Sequence, residues 1–69
     1  MPKPTDRVRI TIELTAEEAQ ALAQMCSRFN TDVAERLADR HDGAKERDHI
    51  LHVISILRRE LGAEGFMPR

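Results

Sequence analysis

His49 and His52 stand three positions apart, a separation that brings two imidazoles to one side of a helix. With Cys26 or Asp48 they would form a zinc ligand set. Neither a Cys-x-x-Cys nor a His-Glu-x-x-His pattern accompanies them. Polar helix surface near a subunit boundary is the better explanation, and no metal is expected. Cys26 is the only cysteine. It falls on the apolar stripe of its helix, where a thiol serves as a small hydrophobe. Gly43, Gly62 and Gly65 are isolated, so no glycine-rich phosphate loop exists. The carboxylates fall mostly at helix ends or on charged stretches, where capping and solvation account for them. No catalytic constellation and no cofactor site emerge, and the expectation is a non-enzymatic protein.

A different chemistry is written near the N-terminus. Arg7, Arg9, Thr11 and Glu13 alternate with Val8, Ile10, Ile12 and Leu14. A period of two is that of a half-buried strand. The sequence offers no second strand, so the segment is expected to pair with its twin in a homodimer. One face of the resulting ribbon would pack on helices. The other would present Arg9, Thr11 and Glu13, doubled by symmetry. A two-stranded ribbon fits the DNA major groove, and Arg and Thr are suitable readers of base edges. Glu13 repels phosphate, although it can accept from a cytosine amino group.

The elements that hold this segment follow from capping and spacing. Residues 1–6 read as a flexible arm, because Pro2 and Pro4 forbid regular pairing. Thr15-Ala16-Glu17-Glu18 spells a capping box, so a helix starts at once and ends near Phe29. Its apolar stripe is Ala19, Leu22, Ala23, Cys26 and Phe29, with Met25 at the edge. Asn30 and Thr31 suit a helix stop or a new cap. A short second helix is expected over Asp32 to Arg40, with Val33, Ala34, Leu37 and Ala38 on its apolar side. His41-Asp42-Gly43 is a break. A third helix is expected from Ala44 to Leu61, with Gly62 as its stop and a tail in which Phe66 and Met67 fold back on the core. At ~100° per residue its apolar side chains spread over roughly 220°, about twice an ordinary surface stripe. That excess nominates Leu51, Ile54, Ile56 and Leu57, with Val8, Ile10 and Ile12, for a dimer interface. The expected class is therefore α+β, mostly α, with the order β-α-α-α. Residues 7–62 form one domain and residues 63–69 a tail.

Composition bounds the rest. A chain of 69 residues forms one small domain, and at this size a single core rarely supplies more than ~3–5 kcal/mol. One cysteine leaves no disulfide to help, which favours oligomerisation. No run approaches the ~20 apolar residues of a membrane span. Met1-Pro2-Lys3-Pro4 leads into charged residues and not an apolar signal region, so a cytoplasmic location without membrane contact is expected. The net charge of −1 argues against a general polyanion binder. Residues 1–14 carry three basic and two acidic groups, residues 15–43 three and six, and residues 44–69 five and four. A nucleic-acid face must therefore be local, at the strand or in the last helix.

Ile10-Thr11-Ile12-Glu13-Leu14, followed by Thr15 to Phe29 and then Asn30-Thr31-Asp32, resembles the ribbon–helix–helix family over roughly residues 7–40. The likeness implies a dimeric DNA-binding fold. Its alternate strand residues would read bases, and the start of its second helix would clamp a phosphate. Carried over, these are Arg9, Thr11 and Glu13, then Asn30 and Thr31, with Lys3 and Arg7 on the flanking DNA backbone. Two departures matter: Asp32 puts negative charge where the phosphate would dock, and the second helix breaks early at Asp42-Gly43. A second likeness covers most of the chain. Residues 12–19 and the stretch from Leu57 to Arg69 resemble a family of small uncharacterised proteins often carried on proteobacterial plasmids and integrative elements. It implies a mobile-element accessory protein and supplies no mechanism.

Two functions follow as expectations. The first is a homodimeric, ribbon-based DNA-binding regulator of a mobile element, with double-stranded DNA as its partner. The alternative is a protein-interaction module or inhibitor, for example of a host defence complex. Its contact surface would be the acidic middle of the chain: Asp32, Glu35, Asp39 and Asp42.

Overall fold

The computed structural model describes residues 3–39 and 44–68. Among them are three helices, α1 (Ala16–Arg28), α2 (Thr31–Leu37) and α3 (Ala44–Ala63), and no strand. This corrects the expected α+β class. Residues 7–14 carry no helix, turn or ladder, and both of their faces are exposed. Alternation makes a segment suited to a sheet, but a strand exists only through hydrogen bonds to a neighbour. None of the described residues supplies one. With the strand goes the two-chain ribbon expected from it.

The helices begin where side chains satisfy their first N–H groups. Thr15 Oγ1 accepts from the Glu18 N–H at 3.1 Å, and the Thr15 N–H donates to Glu18 Oε1 at 2.9 Å. This reciprocal pair fixes the start of α1 as the sequence predicts. At the other end the Phe29 N–H donates to the Cys26 carbonyl. Asn30 then opens α2 directly, its Oδ1 accepting from the Val33 N–H at 2.9 Å. Two residues thus join α1 to α2. The second helix starts at Thr31, one residue before the expected Asp32. It stops at Leu37, short of Arg40, with Ala38 as its cap. Arg40 and the expected break at His41-Asp42-Gly43 lie outside the described residues.

The end of α3 differs from its expectation. The helix runs through Gly62 to Ala63 and turns at Gly65, whose φ is +91°. The Phe66 N–H donates to the Leu61 carbonyl and the Gly65 N–H to that of Gly62. This is the double closure made when a residue just past the helix takes the left-handed conformation, which glycine adopts without strain. Glycine at 62 tolerates the helix, and glycine at 65 is what the turn requires. The tail then returns, with Gln20 Nε2 on α1 donating to the Met67 carbonyl at 2.8 Å. Phe66 is half-buried, whereas the Met67 side chain is exposed.

Both α1 and α2 pack on α3. Among the described residues the buried ones are Ala19, Ala23 and Cys26 on α1 and Ala34 on α2. All four are small, so the helices approach closely, but little apolar volume is enclosed. No residue of α3 is fully buried. Its wide apolar side is divided between two neighbours, which leaves Leu51, Ile54, Ile56 and Leu57 half-buried and Val53 exposed. The result is a thin slab of 37 × 29 × 15 Å. Its radius of gyration is 13.5 Å, where a compact chain of this length would have about 11 Å. Its accessible surface is 6279 Å², against roughly 4,400 Å² for a compact monomer of this mass.

Candidate functional site

The arm of residues 7–14 and a groove between α1 and α2 hold most of the unburied apolar surface. Val8, Ile10 and Ile12 are 66, 75 and 64% exposed. Leu14 is less so, because the arm is anchored at this end. There Ile12 and Leu14 line a cleft with Ala19, Leu61 and Phe66. The polar series Arg7, Arg9, Thr11 and Glu13 is exposed too. Arg7, Arg9 and Glu13 make no ion pair among the described residues. Both series of the alternating segment are thus available at once.

The groove is open, about 700 Å³, and lined by Ala21, Gln24, Met25, Arg28, Phe29, Val33 and Leu37. Met25 on α1 and its cap residue Phe29, then Val33 and Leu37 on α2, are i,i+4 pairs. The two-residue link sets these pairs beside each other. Met25 and Leu37 remain 49 and 63% exposed, so the pairs line the groove without filling it. Sequence reading placed Met25 at the edge of a core stripe and Val33 and Leu37 on a core face.

A family model described as "Family of unknown function (DUF7706)" matches residues 1–69. The chain belongs to that family. No curated protein and no solved structure matches it.

The residues nominated at the start of the second helix have local duties. Asn30 spends its side-chain oxygen on the α2 cap, and Thr31, the first residue of that helix, is exposed. They stand at the C-terminal end of α1, whereas the Ile12–Leu14 end of the arm lies beside Ala19 near its start. The acidic surface is likewise partly engaged. Glu35 accepts from Arg47 of α3 at 3.0 Å, and Asp48 accepts from the same guanidinium at 3.2 Å. These hydrogen bonds, Glu35 first, hold the Arg47 pKa above its ordinary value, so its charge is secure. The contact joins α2 to α3, although at the exposed surface such a pair adds little to stability. Asp32 and Asp39 are exposed, and Asp42 lies outside the described residues.

Cys26 is buried. Burial pushes its thiol pKa up, opposed in part by the Arg58 charge, so the protonated thiol prevails and neither nucleophile nor metal ligand is favoured. His49 and His52 are exposed. Among the described residues no three His, Cys, Asp or Glu side chains converge as a metal site would require. Also among them, no helix is long and apolar enough to cross a membrane.

Proposed function

We propose that this protein is a non-catalytic interaction module that works as a homodimer. One observation carries the reading: among the described residues only small side chains are buried, while Val8, Ile10, Ile12, Met25 and Leu37 stand exposed on the arm and the groove. A core of three alanines and a cysteine is a weak source of stability, at ~0.8 kcal/mol per buried methylene-sized group. The surface beyond that of a compact monomer is roughly 1,900 Å², more than the ~800 Å² per partner that a stable interface takes. A second copy is the partner that is always present at matching concentration. Sedimentation equilibrium tests the reading. Two copies per particle are expected at micromolar concentration, with a shift to one copy in the Ile10→Asp, Ile12→Asp double variant. A wild-type chain that stays single and folded at high concentration would refute it.

DNA contact is the second reading, favoured by Arg7 and Arg9 on the arm, exposed and without an ion pair among the described residues. Their partners would be phosphates, with Thr11 and Glu13 beside them and the apolar series turned to protein. Such binding must weaken steeply with salt. A mobility-shift series with Arg7→Ala and Arg9→Ala tests it, and unchanged binding would remove it. A cytoplasmic role as an accessory of a mobile element is in keeping with the likeness over residues 12–19 and 57–69.

A further inference from the structure

We infer that the groove between α1 and α2 receives the arm of a second copy, laid parallel to α1. The inference rests on the homodimer proposed above and names its geometry. Shape gives the first argument. Val8, Ile10 and Ile12 fall on one side of an extended chain at spacings of ~7 Å. The groove offers Met25, Phe29, Val33 and Leu37 as an open apolar floor. Each surface is unfilled in the single chain, and each is of the kind the other lacks.

Charge fixes the direction. Along α1, Glu17, Ala21, Gln24 and Arg28 share one stripe, because seven and eleven residues are close to whole numbers of turns. Ala21, Gln24 and Arg28 line the groove, so Glu17 extends its rim by one turn. The rim is therefore negative at the start of α1 and positive at its end, ~16 Å apart. The arm carries Arg7 and Arg9 at one end and Glu13 at the other, up to ~20 Å apart when extended. Arg7, Arg9, Glu13, Glu17 and Arg28 are all exposed, and none has an ion pair among the described residues. Only an arm running in the direction of α1 sets both arginines near Glu17 and Glu13 near Arg28. The reverse direction places like charges together at both ends. In a two-fold dimer the exchange happens twice, so each favourable contact counts double.

Mixed-label NMR tests this on the full chain. A dimer of one isotope-labelled and one unlabelled copy should show intermolecular contacts from the Ile10 and Ile12 methyls to those of Met25 and Leu37. Met25→Glu should weaken dimerisation at least tenfold, and Val53→Glu, on exposed α3 surface outside the groove, should change it less than twofold. Glu13→Arg and Arg28→Glu should each weaken it about fivefold, and the two together should restore it. Helicity measured in parallel separates loss of docking from loss of fold. If Met25→Glu unfolds, the charge pair decides alone. A dimer whose arms touch only each other, or only α3, overturns this inference and leaves the homodimer standing. An arm seated in the groove of its own chain overturns it too, and a chain that never dimerises overturns both.

Discussion

The arm and α3 carry similar apolar side chains to different ends. Val8, Ile10 and Ile12 remain exposed, whereas Ile50, Leu51, Ile54, Ile56, Leu57 and Leu61 are all half-buried. The difference lies in the backbone. A helix satisfies its own N–H and C=O groups and asks its neighbours only for side-chain cover, which α1 and α2 provide. The arm makes no such bonds of its own, and beyond its Ile12–Leu14 end the helices of this chain give its side chains little cover. Equal hydrophobicity therefore becomes a half-built core in one region and free surface in the other.

That contrast can be broken most forcefully at the core. Ala34 is fully buried, and Ala34→Asp would bury an unpaired carboxylate at a cost of several kcal/mol. Loss of helical circular dichroism is expected, while Ile10→Asp on the arm should leave the helical signal intact. If the two variants behave alike, arm and slab are one cooperative unit. Deleting residues 1–9 should shift the particle from two copies to one by light scattering, with helix content per residue of α1–α3 unchanged. Helix ends should give smaller effects. Gly65→Ala forces a side chain into a left-handed turn at about 1 kcal/mol, and Thr15→Ala removes the α1 cap at a similar cost. Each should lower the melting temperature by about 4–8 °C.

The smallest effect is electrostatic. Glu18 has its pKa lowered by the hydrogen bond from the Thr15 backbone and then by that with its side chain. A depressed folded-state pKa contributes stability that is present above the unfolded value and is lost as pH falls through the folded one. Glu18→Gln should therefore lower the melting temperature slightly near neutrality and flatten the acid limb, so that the two curves converge at low pH.

Much of the helical plan was legible because it is local. The Thr15–Glu18 capping box and the Asn30 cap each need only residues within three positions. The turn at Gly65 was harder to see. Gly62 comes first and carries the same stop signal, and the choice depends on where the tail is tied by Gln20. The groove was invisible for another reason. Met25, Phe29, Val33 and Leu37 read as core by periodicity, and only the angle set by the short Phe29–Asn30 link turns them outward.

By itself the sequence determined where helices begin, which side chains are apolar, and that residues 7–14 alternate with a period of two, since these depend on neighbours along the chain. The tertiary structure decided that the alternating segment forms no strand, that among the described residues only small ones are buried, and that a groove opens between α1 and α2. Those outcomes depend on what each segment meets in space, and a one-dimensional pattern specifies a need for contact without naming the surface that supplies it.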